Sequence, residues 1–291
     1  MEYFLQQLAN GLAAGSVYSM VAVGYSLIYG ALQLINFAHG DIYMFGTFVA
    51  VMILGMIQSV WWAIPIAIIT SGLIGMTVER IAYRPVRSSN RIAPMISAVG
   101  AALIIRNLAQ VFWGTRTYPF PSVIPYRFFT IGGVTLSTLQ ITLFFLSLFC
   151  MWLLTQVLKR TKMGQAILCV AQDIQTAQLM GIPVNRIISL IYGVGAMLGA
   201  IGGILFAVYY NSVFIGMGFL GTMKAWTAAV IGGIGNMYGA FIGGIMLGVM
   251  ESFASGYISS AYRDAISFGI LILVLVFRPN GLLGKQVTEK V

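Results

Sequence analysis

The sequence predicts an all-α fold, that of a polytopic helical membrane protein with about eight or nine membrane segments, some of them short, broken or re-entrant. Its residues are 59% hydrophobic and only 8% charged, whereas soluble domains are about 45–50% apolar and about 25% charged. The mean hydropathy of +0.92 makes lipid the solvent for most of the surface. We expect one membrane domain over residues 1–291.

Uncharged stretches give the individual segments, because a membrane-spanning helix needs about 20 mostly apolar residues. Several of these stretches are long enough to hold two spans. The expected segments are 5–30, 35–58, 62–78, 93–113, 138–158, 187–209, a short one at 223–235, 238–257 and 264–278. The number of crossings after residue 210 stays open between three full spans and one span with a re-entrant pair.

The basic residues predict the topology, since Lys and Arg in short loops stay on the cytoplasmic side during insertion. Eleven of the sixteen Lys and Arg residues fall in three clusters. They are Arg80, Arg84, Arg87 and Arg91; Lys159, Arg160, Lys162 and Arg186; and Arg278, Lys285 and Lys290. The N-terminus and the loop 114–137 should therefore lie outside, and the C-terminus should be cytoplasmic.

Several chemistries are disfavoured by the same sequence. The net charge of +9 is clustered between apolar runs, which marks topology and not nucleic-acid binding. Gly216, Gly218 and Gly221 match G-x-G-x-x-G, but no strand precedes them, so a dinucleotide site is not expected. His39 is the only histidine, and Cys150 and Cys169 fit no metal-ligand spacing. We expect neither an enzyme nor a metal protein.

A polar interruption lies inside an apolar stretch of about 60 residues, at Asn36, Phe37, His39 and Asp41, with Gly40 between the last two. Two interpretations stay open: a wetted turn at the membrane interface, or a broken helix whose polar groups line a substrate path. A second path segment is expected at 228–244, in the opposite half of the chain.

Three further ionisable residues fall in or beside apolar segments. Arg106 and Lys224 are close enough to helix ends for their side chains to reach the interface. Glu251 lies too deep for that and should pair with another polar group or face a subunit interface.

Glycines recur at every fourth position, a spacing that lets helix backbones touch. The two series are Gly195, Gly199 and Gly203, and Gly235, Gly239 and Gly243. We expect both to be helix-packing ridges.

The loop 159–186 differs from the other connections because residues 162–183 have a helical pattern. We expect a short amphipathic helix outside the bilayer, capped by Gly181 and ended by Pro183. Small residues within it, such as Ala166 and Ala171, would suit close docking against a partner.

Three motifs together resemble the branched-chain amino-acid ABC permease family, most closely the smaller of its two permease subunits. They are Asn36-Phe-Ala-His-Gly-Asp41, Glu79-Arg-Ile-Ala-Tyr-Arg-Pro-Val-Arg-Ser-Ser89 and Ala228-Ala-Val-Ile-Gly-Gly-Ile-Gly235. With the Met163-Gly164 to Gly181-Ile182 loop and Arg278-Pro-Asn-Gly-Leu-Leu-Gly284, the resemblance spans nearly the whole chain.

The resemblance implies a multi-pass protein of the bacterial inner membrane that imports branched-chain or similar neutral amino acids. It implies a second homologous permease, two cytoplasmic ATPase subunits that bind the ATP, and a periplasmic binding protein; no cofactor belongs to this chain. The loop 159–186 would then couple the permease to the ATPases through Met163, Gly164, Ala166, Ala171, Asp173 and Gly181.

Two other functions stay open. One is an ABC permease for urea or short amides, and the other is a small-solute channel that works without ATP.

Overall fold

The computed structural model describes residues 1–90, 92–121, 125 and 127–284. The helices are α1 Glu2–Leu32, α2 His39–Ile57, α3 Val60–Val78, α4 Ile92–Trp113, α5 Thr138–Arg160, α6 Lys162–Gln172, α7 Ile174–Leu179, α8 Val184–Tyr210, α9 Met217–Gly232, α10 Met237–Tyr257 and α11 Arg263–Phe277. One π-helical turn, Glu79–Tyr83, extends α3, and a 3₁₀ turn, Ser260–Tyr262, precedes α11. Strands β1 Phe128–Ile131 and β2 Val134–Ser137 form an antiparallel hairpin.

Eight of the described helices are long and apolar enough to cross a membrane. This confirms the predicted polytopic helical fold and most of the segment positions. The β1–β2 hairpin in the loop 114–137 was not predicted. The short segment expected at 223–235 is α9, which starts six residues earlier and is 16 residues long. At 1.5 Å per residue, α9 is about 24 Å long, less than the hydrocarbon thickness.

Helix α1 is the centre of the bundle, and 94% of its apolar window is buried inside the protein. It packs closely along α10, where a side chain added at Gly15 or Gly248 would meet the backbone of the other helix. Small residues thus let the two backbones touch. By contrast, only 28% of the corresponding windows of α3, α4 and α5, and 11% of that of α11, is buried. Their outward faces are left for lipid or a partner.

Contacts between distant loops show which segments share an end of the bundle. At one end, Gln6 bonds to Thr135, Ser252 bonds to Gln7, and Tyr118 pairs with Val213. The N-terminus therefore lies beside the loop 114–137.

At the opposite end, Arg87 bonds to Asn185, and Leu283 bonds to the carbonyl of Gly232. The basic clusters around residues 84–87, 159–186 and 278 thus share this end, as the charge pattern predicts. Arg91, Lys285 and Lys290 lie outside the described residues.

Two long helices end in the same way and are each followed by a short linker. Gln33 after α1 and Asn211 after α8 both have a left-handed backbone, with φ of 54° and 51°. Residues 33–38 then lead into α2, and residues 211–216 lead into α9. One unit consists of α1, its linker and α2, and the other of α8, its linker and α9. Since α1 and α8 run antiparallel, these two units have inverted orientations in the membrane.

The structural counterpart of the interruption at 36–41 is therefore 211–216 and not 228–244, and a path beside 228–244 stays a prediction. Residues 228–244 hold the end of α9, a turn at the basic end of the bundle, and the start of α10. Gly235 lies in this turn with φ of 86° against Gly30, so it does not belong to a helix ridge. The helix is not continuous here because α10 starts anew after Asn236, whose side chain caps it by accepting from the backbone N–H groups of Tyr238 and Gly239.

Candidate functional site

The polar interruption lies inside the protein. The relative exposures of Asn36, His39 and Asp41 are 1%, 0% and 1%, so the interpretation as a wetted turn is wrong. The ring of His39 contacts Gly24 of α1 and Gly199 of α8. Gly24 lies eight residues before the end of α1, which is about 12 Å along the helix axis. Helix α2 therefore begins deep within the bundle, and the helical structure is interrupted just before it. Phe37 is only partly buried and packs against the core.

Asp41 forms the charged centre of this region with Arg106. The guanidinium donates from Nε to Oδ1 and from Nη2 to Oδ2, both at 3.0 Å. The side chain of Arg106 is 28% exposed and that of Asp41 is 1% exposed. The expectation that Arg106 reaches the interface is therefore wrong: an ionised group at this depth is stabilised best by a bidentate partner, and Asp41 provides one.

The start of α9 lies against the start of α2. A side chain added at Gly40 would meet Thr222 Oγ1 and the carbonyl oxygen of Gly218. Tyr43, one turn into α2, donates its hydroxyl to the carbonyl of Met217. Two helix N-termini thus converge beside the Asp41 carboxylate, where their dipoles favour negative charge. Glycine at position 40 is what permits the backbones to come this close.

Several buried polar groups on α1, α8 and the start of α2 have no hydrogen-bond partner among the described residues. Neither ring nitrogen of His39 makes a hydrogen bond of normal geometry, and the same holds for the Asn36 amide nitrogen and the hydroxyls of Tyr25 and Tyr192. Asn36 Oδ1, by contrast, accepts from the Tyr83 hydroxyl at 3.0 Å and from the backbone N–H of Ala38 at 3.1 Å. Leaving a buried polar group unpaired costs about 1–3 kcal/mol. These groups therefore have hydrogen-bonding capacity that no described residue uses.

A second buried network is centred on Glu251 of α10. Its carboxylate accepts from Lys224 and Ser267 at 2.5 Å, and from Tyr18 and Arg263 at 2.8 Å. The prediction that Glu251 pairs with another polar group is confirmed. The prediction that Lys224 reaches the interface is wrong, because its ammonium group bonds to Glu251 and Asp264 instead. This network joins α1, α9, α10 and α11.

A cavity of about 320 Å³ opens beside this network, near the end of the bundle that holds the N-terminus. Its lining includes Gln7, Asn10, Tyr209, Glu251 and Arg263. Glu251 already accepts four hydrogen bonds, so the cavity presents a saturated carboxylate.

A third charged cluster at the basic end was missed by the sequence analysis. Glu79, which is fully buried, accepts from Arg84 Nη2 at 2.8 Å and from the Ser189 hydroxyl at 2.5 Å. This pairing raises the pKa of the Arg84 guanidinium, chiefly through the hydrogen bond. The sequence does contain a signal for this ion pair, because Glu79 lies five residues before Arg84 at the edge of an apolar span. The cluster ties the π-helical end of α3 to the start of α8.

The loop 159–186 consists of two helices and not one, because Asp173 interrupts the helical pattern. Its carboxylate accepts from the backbone N–H groups of Gln175 and Thr176, which caps α7 and lowers the pKa of Asp173. Gly181 has φ of 79° at the end of α7.

The remaining residues assigned to this loop have different surroundings. Gly164 packs on the last turn of α5, Ala166 and Ala171 are half-buried, and Met163 is exposed. Leu179 and Met180, at 87% and 77% exposure, are the most exposed apolar side chains of the loop. A cavity of about 510 Å³ lies between α7, the start of α8 and Arg87.

The other glycines named from the sequence lie at helix contacts. Gly195 contacts Ile28 and Gly24 of α1, Gly199 contacts His39, and Gly203 contacts Tyr43 and Thr47 of α2. Gly239 and Gly243 contact α9 at Gly232 and Ala228. Among the described residues, no group of three or more His, Cys, Asp or Glu side chains could hold a metal ion.

Comparisons with known proteins match this chain over nearly its full length. Residues 7–275 match the family model described as branched-chain amino acid transport system / permease component. The high-affinity branched-chain amino acid transport system permease protein BraD of Pseudomonas aeruginosa is 40% identical over 99% of this chain and 98% of its own. LivH of Escherichia coli, which has the same description, is 38% identical over the same shares.

Among solved structures, PsaBC from Streptococcus pneumoniae in complex with Fab matches with a TM-score of 0.53 and 14% identity. The match covers 95% of this chain and 92% of that one. At this identity, the match supports the fold alone.

Proposed function

This chain belongs to the family of branched-chain amino acid transport permease components, and on that premise we propose that it carries leucine, isoleucine, valine or similar neutral amino acids. It is a permease subunit of an ABC importer and a multi-pass inner-membrane protein. The full-length match to BraD and LivH is the observation that carries this proposal. The cargo named in their descriptions is the reason for choosing branched-chain amino acids over urea or short amides.

The proposed complex contains a second homologous permease, two cytoplasmic ATPase subunits that bind ATP, and a periplasmic binding protein. The outward faces of α4, α5 and α11 support a permease partner and surrounding lipid, because these faces are mostly apolar and exposed. We assign ATP to the ATPase subunits, as the family resemblance implies.

The proposed orientation places the N-terminus outside and the C-terminus in the cytoplasm. The basic clusters at one end of the bundle support it. Single cysteines at Ser88 and Thr117, in a variant without Cys150 and Cys169, would test it with an impermeant thiol reagent applied to intact cells. We expect labelling at position 117 and none at position 88, and the reverse pattern would invert the map.

The proposed substrate path runs beside the junction of α2 and α9, near Asn36, Phe37, His39 and Asp41. Its support is the convergence of two inverted half-units at one buried polar site. Affinity for the amino acid would reside mainly in the binding protein, so the path needs only weak contacts. The unpartnered groups around His39 suit this requirement, because they offer hydrogen bonds without a fixed charge.

The loop 159–186 is proposed to couple ATPase closure to this junction. Helix α8 begins at Val184, in the last residues of the loop, and carries Gly199, which touches His39. A movement of α7 would therefore reach α2 through one rigid helix. Replacing the exposed Leu179 with Glu should abolish ATP-driven uptake while membrane insertion is retained. Normal uptake in that variant would remove the α7 surface from the mechanism.

Reconstitution tests the function as a whole. The permease pair, the ATPases and the leucine-loaded binding protein would be placed in liposomes, and uptake of radiolabelled leucine would be followed with and without ATP. We expect uptake only with ATP and all partners present. Uptake by this chain alone would establish the channel alternative, and uptake of urea in place of leucine would establish the amide alternative.

A further inference from the structure

Arg106 leaves part of its guanidinium on the outer surface of the chain at membrane depth. It lies fourteen residues after the start of α4 and seven before its end, which is about 21 Å and about 10 Å along the helix. Nε and Nη2 are held by Asp41. Nη1 donates to no described residue, and the side chain is 28% exposed.

The surface beside this guanidinium is apolar and belongs to the first turn of α9. Phe219 and Leu220 are 53% and 41% exposed, and the guanidinium carbon of Arg106 lies 5.8 Å from the centre of the Phe219 ring. A cationic edge therefore adjoins two large apolar side chains. This pairing is complementary to a molecule with a carboxylate at one end and an aliphatic chain at the other.

Lipid tails are a poor neighbour for this edge. An ionised arginine at membrane depth is tolerated when it faces protein or a water-filled cavity. Two neighbours on the exposed side of α4, Asn107 and Gln110, are also polar. A guanidinium edge with two amides nearby indicates a surface that water, substrate or a partner covers during function.

We propose that Arg106 binds the α-carboxylate of the amino acid as it passes, while Phe219 and Leu220 contact its side chain. This inference rests on the proposed function and adds the residue that binds the carboxylate of the substrate. Asp41 is the positioning residue, because it fixes the plane of the guanidinium and leaves one edge available. Since Asp41 already takes the Nε–H and one Nη2–H, the substrate is held by the remaining edge only and is released readily.

Covalent capture tests the location. A leucine analogue with a diazirine side chain would be delivered by the binding protein to the full complex in nanodiscs, irradiated during turnover, and mapped by mass spectrometry. We expect label on Phe219 or Leu220. Label confined to the cavity beside Tyr209 and Arg263 would overturn the proposal, and so would label at Phe219 from a photoreactive phospholipid but never from the leucine analogue.

Variants test the charge. Because Arg106→Gln alone leaves Asp41 buried without a partner, the informative variant is Arg106→Gln with Asp41→Asn, which stays neutral. We expect an assembled complex with leucine uptake reduced about tenfold or more, the loss expected when one charge-assisted hydrogen bond is removed. Arg116→Gln, which removes one exposed positive charge just beyond the same helix, is the matched control and should transport normally.

Wild-type uptake separates the two possible failures. If the wild-type complex does not import leucine with ATP, the proposed function fails. If it does, and the neutral double variant imports leucine at the wild-type rate, the proposed function stands and the role of Arg106 is wrong.

Discussion

Two buried ion networks differ in how completely their charges are satisfied. Around Glu251, two cations and two hydroxyl groups fill both carboxylate oxygens. Around Asp41, one arginine is the only ion-pair partner among the described residues, and part of that arginine stays exposed. The first network joins four helices, whereas the second lies where α2 and α9 begin.

We expect this difference to separate a structural role of the Glu251 network from a role of the Asp41 region in transport. A saturated buried network rigidifies the helices it joins, and removing its central charge leaves the partner charges uncompensated. A network with one pair and several unpartnered neighbours contributes less stability and retains hydrogen-bonding capacity for something else. Changes at Glu251 should therefore act on folding, and changes beside Asp41 should act on transport.

Glu251→Gln should have the largest effect on stability. It leaves Lys224 and Arg263 without their shared carboxylate, which costs about 3–5 kcal/mol for a buried pair. We expect loss of folded protein on detergent extraction, measured by size-exclusion chromatography and thermal melting. The double variant Lys224→Met, Glu251→Leu removes one charge of each sign and should recover part of this stability. A stable single variant would contradict the structural role of the network.

Gly40→Ala should impair transport strongly, because its side chain would meet the backbone of Gly218 in α9. Overpacking of this kind costs about 1–3 kcal/mol, and here it separates the two helix N-termini. The measurement is ATP-driven uptake together with the melting temperature. Gly55→Ala is the matched control in the same helix, since its added methyl group has open space. Equal activity of the two variants would show that the close approach of α2 and α9 is dispensable.

His39→Leu should lower uptake several-fold without lowering stability. The imidazole has no hydrogen-bond partner of normal geometry, so an apolar side chain of similar size removes two unsatisfied groups. We expect an unchanged or higher melting temperature and reduced transport. Tyr25→Phe removes a neighbouring unpartnered hydroxyl and should leave stability equally intact. A clear fall in melting temperature for His39→Leu would show instead that His39 stabilises the fold.

Ser267→Ala should have the smallest effect. It removes one of the four groups that donate to Glu251, and a single hydrogen bond to a charged group contributes about 1.5–3 kcal/mol. Uptake should remain normal, and the melting temperature should fall slightly more than in Thr70→Ala, whose hydroxyl bonds only to its own helix. A loss of uptake with unchanged stability would bring the Glu251 network into the transport cycle.

The sequence predicted the segments better than their contacts. Long apolar runs locate the helices, and the Asn36 to Asp41 interruption was identified as a possible break in the helix. The sequence could not identify 211–216 as its counterpart, because Asn211-Ser-Val-Phe-Ile-Gly216 carries no charge to mark it. Similarly, Arg106 and Lys224 lie near helix ends, where a route to the interface and a buried partner are equally consistent with the sequence.

Composition and charge by themselves determined that this chain spans a membrane many times and which loops share a side. Both properties are local, since each helix inserts according to its own hydropathy and each short loop according to its own charges. Only the tertiary structure decided which polar groups meet. Asp41 and Arg106 are 65 residues apart, and Tyr18 and Glu251 are 233 apart. When lipid and core are both apolar, no periodic pattern distinguishes the helix face that turns inward.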